Sequence, residues 1–368
     1  MKIFRRGLSG LILFSCVLYL SGCWDIVPIE DRALVLVVGL DKNGNRVRLS
    51  AQVPTIKNLI QTPSSFTDRR KPMAKPFVVE SASLLNGIQQ LEDRIYQSMI
   101  VGAVKIIIVS LRTAEDDLME ILTVFLRQPS VSFQTLVLCA ENSAEEIIRF
   151  ESPFDIQPGL MISKQQQSSM KMAHSFPMRL GDFIARVDNQ TIDPYLPVIK
   201  LDTENKSYIL EGIKVFNKGR VVGALSPGES YFFGVITGQV TEGYQEITVK
   251  GKRTGFSKVS YHPKIRIRRF HGHSSIFLEI NTQGTLLQIP GGFPNRVETY
   301  RLIKREMERQ LKKRVLSVVD KLQSLNADPV GFQKYMEIAG IKNWDEAYPV
   351  IPVEIKVHFN FRNLSPAF

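Results

Sequence analysis

Residues 104–139 read VKIIIVSLRTAEDDLMEILTVFLRQPSVSFQTLVLC. Apolar runs from Val104 to Ser110 and from Ser132 to Cys139 flank a segment in which Leu118, Ile121, Leu122 and Phe125 recur at helical spacing. Side chains on one helix face return every three or four residues, so the order predicts strand, helix (Ala114 to Leu126) and strand, the unit of an α/β module. Glu115, Asp116 and Asp117 then fall in the first turn of the helix, where the positive end of its dipole favours carboxylates. They are expected as helix-start charges, not as catalysts.

The same alternation continues on both sides of this stretch. Upstream, a strand at Phe77 to Ser81 precedes a helix from Leu84 to about Met99, in which Leu84, Ile88, Leu91 and Ile95 share a face. Further upstream, Ala33 to Leu40 and Arg46 to Val53 read as a hairpin closed over Asp41-Lys42-Asn43-Gly44-Asn45, since Asn-Gly between apolar runs is a turn signal. The polar stretch Lys57 to Pro76 breaks the pattern as a loop. Downstream, a helix is expected at Ala144 to Phe150. Residues 152–207 carry five prolines and read as a connecting region with one short helix, Met178 to Val187.

The C-terminal part begins with a hairpin, Ile209 to Phe216 and Val221 to Leu225, and continues with strands at about Gln245 to Lys250, Ser257 to Phe270 and Ser275 to Ile289. After Pro294, Ile303, Met307, Leu311, Val315, Val318, Leu322 and Leu325 form one apolar stripe of a long helix expected to lie across the sheet. A helical stretch at Pro329 to Ala339 leads to a last strand, Val353 to Phe361. The expected fold class is therefore α+β: an N-terminal α/β region of mixed sheet and helices, and a C-terminal, mostly antiparallel sheet packed by a long helix. The expected division is a signal peptide at 1–22, a lipidated tether at 23–32, an N-terminal region at 33–190, a linker at 191–207 and a C-terminal domain at 208–368.

The N-terminus supplies the most specific motif. Lys2, Arg5 and Arg6 precede an apolar run of 13 residues, Leu8 to Leu20, which is short of the roughly 20 needed to cross a bilayer. It ends in Leu20-Ser21-Gly22-Cys23, the form of a bacterial lipobox. The expectation is that the Cys23 thiol is alkylated with diacylglycerol and that cleavage makes Cys23 the first residue. Two acyl chains suffice for stable anchoring, because each buried methylene contributes about 0.8 kcal/mol.

Composition is that of a globular body, with 44% hydrophobic and 23% charged residues. Loss of Lys2, Arg5 and Arg6 with the signal takes the formal charge from +11 to +8. For a chain held at a membrane, such a surplus points to anionic headgroups, with nucleic acid as the lesser alternative. Of three cysteines, Cys16 leaves with the signal and Cys23 is alkylated, so Cys139 has no partner for a disulfide and is expected in the core.

Catalytic and metal signals are weak. Gly228 and Gly291-Gly292 lack the strand and helix of a phosphate cradle. His271-Gly272-His273 could place two imidazoles on one strand face, but two ligands do not make a metal site. Glu145-Glu146 reads as solvated helix residues, and no serine sits in a nucleophile elbow. In Lys264-Ile265-Arg266-Ile267-Arg268-Arg269 the isoleucines should face a core while Lys264, Arg266 and Arg268 share the solvent face. That pattern serves either as charge protection of an edge strand or as a basic surface. Arg301, Lys304, Arg305, Arg309, Lys312, Lys313 and Arg314 on the long helix place most of the positive field in the C-terminal half.

Cys23-Trp24-Asp25, the acidic Ile29-Glu30-Asp31 and the strand ending Val38-Gly39-Leu40-Asp41 resemble the Ger(x)C family of spore germination lipoproteins. Val104 to Ser110 with the helix closing at Leu126-Arg127-Gln128-Pro129, and Tyr195-Leu196-Pro197-Val198-Ile199 with Leu210 to Phe216, resemble two further blocks of that family. The resemblance spans nearly the whole chain. It implies the C subunit of a nutrient germinant receptor, no enzyme, held on the outer face of the spore inner membrane with an integral-membrane A subunit and a transporter-like B subunit. It also implies a three-domain body. Only Cys23 carries over as a functional residue, with no cofactor beyond its diacylglycerol and an optional N-acyl chain. Two readings from other classes stand beside it: a lipoprotein solute-binding component of an importer, which needs two comparable lobes, and a lipid-anchored envelope enzyme.

Overall fold

A computed structural model of the chain describes residues 32–54, 74–95, 98–116, 118–151, 158–171, 174–271, 273–287, 294 and 296–362. Leu20, Ser21, Gly22 and Cys23, the expected signal and nearly all of the tether lie outside the described residues, as do Gly291, Gly292 and most of the polar stretch after Lys57.

The N-terminal half runs β1 (Arg32–Leu34), β2 (Val37–Asn43), β3 (Arg46–Pro54), β4 (Ala74–Ser81), α1 (Leu84–Arg94), β5 (Ser98–Ile100), β6 (Ile106–Ser110), α2 (Leu111–Asp116), α3 (Leu118–Leu126), β7 (Leu136–Ala140), α4 (Ala144–Arg149), α5 (Pro158–Lys171) and α6 (Leu180–Asp188). Then come β8 (Tyr195–Asp202), β9 (Ser207–Asn217), β10 (Arg220–Leu225) and α7 (Pro227–Ile236). The order of the main sheet is β10-β9-β8-β7-β6-β2-β3-β4, with the four central strands parallel and the outer ones antiparallel.

All five residues of β6 are buried, as a central strand covered on both faces requires. The period-two alternation sorts them: Ile107 and Val109 join Val137 and Cys139 in the core under α1 and α3. Ile106 and Ile108 face the opposite way, with Leu138 and Ala140, against Ile147 and Ile148 of α4 and Ile162 of α5. Leu84, Ile88 and Leu91 of α1 and Leu118, Ile121, Leu122 and Phe125 of α3 are buried, as their spacing predicts.

Four local expectations are corrected. The strand expected over Ala33 to Leu40 is broken at Val35-Leu36, because β1 turns away to pair in parallel with β5. That pairing also shortens the helix expected to reach Met99: Ile95 is already extended, and Ser98–Ile100 is strand. The helix expected from Ala114 starts at Leu111 instead, directly after β6, where Thr113 N–H donates to Ser110 Oγ. Glu115 and Asp116 therefore close α2 rather than open a helix, and Asp116 pairs with Lys42 at 3.2 Å. Finally, β7 starts at Leu136, so Phe133 is in a turn and 63% exposed.

The expected linker at 191–207 holds β8, which pairs in parallel with β7 (Cys139 with Val198) and antiparallel with β9. The hairpin expected to open the C-terminal domain is β9 and β10, and both complete the N-terminal sheet. Local pattern identified these strands, but their pairing is long-range. Helices α5 and α7 had not been expected; α7 is marked by a capping box, Ser226 Oγ accepting from Glu229 N and Glu229 accepting from Ser226 N.

The C-terminal sheet is β11 (Glu242–Val249), β12 (Lys252–Phe270), β13 (His273–Leu286) and, after α8 (Val297–Ser324), α9 (Phe332–Ile338) and α10 (Trp344–Ala347), β14 (Val353–Phe361). β11, β12 and β13 are antiparallel, and β14 lies parallel to β13. Ile303, Met307, Leu311, Val315, Val318 and Leu322 of α8 are buried with Ile276, Leu278 and Ile280 of β13 and Ile355, Val357 and Phe359 of β14, while Leu325 is half-buried. Each such aliphatic side chain contributes about 1.5–3 kcal/mol of transfer free energy, which outweighs the polar character of the rest of α8.

Candidate functional site

The join between the two sheets carries, beside its apolar contacts, a connected set of polar groups. Asp193, just before β8, accepts the Lys218 N–H through Oδ1 at 3.1 Å and the Asp328 N–H through Oδ2 at 2.7 Å. Asp328 in turn accepts from Gly331 N (2.9 Å) and Gln333 N (2.7 Å), opening α9. The Arg186 guanidinium donates to the carbonyls of Asp193 and Pro329, both at 3.1 Å, and lies 5.3 Å over the Tyr195 ring. Burial pushes Asp193 upward, and pushes the fully enclosed Asp328 up to about 7, against the pull of the amides that each accepts.

Beside this join lies a groove of about 920 Å³ between α6, the middle of β12 and α9. Arg179, Asp182 and Arg186 line it from the α6 side, Lys264 and Arg266 from β12, and Tyr335 from α9. Arg179 faces Asp182 at 4.0 Å and Arg266 faces Glu279 at 3.9 Å, both loose contacts across exposed surface. There is no His, Cys or Glu among its described lining residues, so its means are charge and hydrogen bonds.

The alternation expected of β12 is present: Lys264, Arg266 and Arg268 are exposed, with Ile265 and Ile267 half-buried toward the other side. The basic residues of α8 form a separate place. Arg309, Lys313 and Arg314 line a second groove of about 1000 Å³ against the first turn of α7 and the β11–β12 turn. There Arg309 pairs with Glu306 at 2.7 Å, and Arg314 lies 5.6 Å over Phe232. Within the C-terminal half the basic residues are thus divided between the two faces of the sheet.

Cys139 is fully buried, and burial pushes its thiol up to about 12, which keeps it protonated and inert. His271 and His273 stand at the turn between β12 and β13 rather than on one strand face, since His271 has a left-handed φ of 49°. Among the described residues, no group of three His, Cys, Asp or Glu could hold a metal ion.

One polar contact had no signal in local pattern. Asp41, at the outer end of β2, accepts Ala144 N through Oδ1 and Glu145 N through Oδ2, each at 2.8 Å, and so caps α4 from another element. Gly39 leaves room for that helix: a Cβ there would stand 2.6 Å from Ile148 Cδ1 and 2.5 Å from Ser50 Oγ. The Gly39-Leu40-Asp41 stretch is therefore a docking place for α4.

Residues 25–201 match a family model described as spore germination protein N-terminal domain, and residues 211–365 match the one described as spore germination B3/GerAC like, C-terminal. The chain belongs to the GerAC family of spore germination C subunits. Among its relatives, the putative spore germination protein YfkR of Bacillus subtilis (strain 168) is 24% identical, over 94% of this chain and 93% of that one. Spore germination protein B3 of the same organism is 22% identical over 96% of each. The crystal structure of the GerBC protein covers 89% of this chain and 97% of its own, with a TM-score of 0.57 at 17% identity, a likeness of fold. The two GerAC models meet in the β8–β9 hairpin, so the C-terminal one includes two strands of the N-terminal sheet.

Proposed function

We propose that this GerAC chain is the lipid-anchored C subunit of a nutrient germinant receptor. A diacylglycerol on Cys23 holds the body on the outer face of the spore inner membrane, beside the integral-membrane A and B subunits. The observation that carries this reading is the near-complete match to the two GerAC models from residue 25, two positions after Cys23. No described helix is long and apolar enough to cross a membrane, which accords with attachment by acyl chains. The contribution of the subunit is assembly and coupling: confinement to a surface raises its effective concentration at the partners without requiring new contacts.

The test is Cys23→Ala in spores. Loss of the protein from the membrane fraction together with a weakened response to nutrients is expected. Normal membrane retention and normal germination would remove the anchor from the mechanism.

A further inference from the structure

The parallel strands of the main sheet share one end. Val37 pairs with Ile106 and Ile106 with Leu136, while the β7–β8 register sets Leu136 level with Tyr195. Arg32, where the described chain begins, lies beyond that end, because β1 precedes β2 and runs parallel to β5. Three strand spacings, roughly 14 Å, separate β2 from β8. At the β8 side, Ile192 packs against Gly331 and α9 leads on for about 10 Å. It ends where Arg269 donates to the Ala339 carbonyl. The tip of β12 is thus linked through α9 to the same end of the sheet at which the described chain begins.

That tip combines two kinds of exposed group. Phe270, the last residue of β12, and Ile338, the last of α9, are 76% and 74% exposed. Lys264, Arg266 and Arg268 stand on the adjoining outer sheet face, partly countered by Glu279 and Glu354. Aromatic and aliphatic side chains flanked by basic ones suit the headgroup layer of a bilayer, where rings and chains enter and cations meet phosphate. The nine residue steps from Cys23 to Arg32 reach at most ~32 Å, so an anchored Cys23 keeps this end of the body near the lipid.

We propose that the exposed face of the outer half of β12 and the end of α9 form a second membrane contact, lying along anionic phospholipid headgroups through Lys264, Arg266 and Arg268 with Phe270 and Ile338 entering the interface. The orientation rests on the lipid-anchor reading above, whereas the docking chemistry does not, and the experiment keeps the two apart. The mature chain from residue 23 carrying Cys23→Ala is sedimented with vesicles of phosphatidylcholine alone or with added phosphatidylglycerol.

Binding is expected only to the anionic vesicles, and it should fall as salt is raised. Lys264→Glu with Arg266→Glu should weaken it by at least roughly tenfold, given the contribution of each basic residue near an anionic surface. Phe270→Ser should weaken it further at an unchanged thermal midpoint. Lys312→Glu with Lys313→Glu, the same charge change on α8 behind the sheet, should leave most of it. Equal binding to both vesicles, no binding, or equal loss from the two charge-reversed pairs would overturn the proposal. Intact-mass analysis of the native protein tests the Cys23 modification by itself.

Discussion

Asp193 accepts the backbone N–H of Asp328 at 2.7 Å, and its own N–H donates to the Asp328 carbonyl at 3.0 Å. Through this pair the start of β8 is joined to the turn that follows α8. Asn217 adds a bond to the Asn326 carbonyl, and the buried Tyr348 hydroxyl one to Ala327.

Asp193→Ala removes the acceptor of two backbone amides in a half-buried place. An unmet buried donor costs about 1–3 kcal/mol, so chemical denaturation should show a loss of that size, with Asp193→Asn, which keeps one carbonyl oxygen, losing less.

Stability should fall as pH rises from about 4 to about 7. The folded-state pKa of Asp328 lies near 7, above the ordinary aspartate value, so within that window the folded state binds more protons than the unfolded one. The contribution is greatest below the unfolded value and is lost through the folded one, with a slope of at most about 1.4 kcal/mol per pH unit. Asp41 and Asp193, also raised by burial, act in the same direction. Comparing urea midpoints of the native chain and Asp328→Asn across this range should show a flatter profile for the variant.

Asp41→Ala should cost about 0.5–2 kcal/mol, the usual effect of losing a helix cap, even though Ser143 still accepts from Glu146 N. Gly39→Ala should also destabilise, because its added methyl meets Ile148 and Ser50 in a closed place. Thermal melts of the two variants check both.

A thiol-reactive dye should label the folded, lipid-modified protein hardly at all and label one site, Cys139, after unfolding in urea. A rapidly labelled thiol before unfolding would show that Cys23 is unmodified or that Cys16 is retained with an uncut signal, since Cys139 is enclosed.

Features that repeat locally are legible in the chain alone. The stripe from Ile303 to Leu322 specified α8 and its buried face, alternation specified β12 and the last strand at Val353–Phe361, and the apolar setting of Cys139 specified a core thiol. The lipobox form of Leu20 to Cys23, the basis of the proposed anchor, is readable because it is contiguous in the chain. Contacts distant in sequence place Tyr195–Leu225 in the first sheet, set Asp41 as the cap of α4, bind Asp193 to Asp328 and divide the basic residues between two faces. The difference is one of range. Periodicity records which side of an element is apolar, but a strand's neighbour or a carboxylate's amide is chosen by contacts between residues up to 135 positions apart, which leave no repeat in the chain.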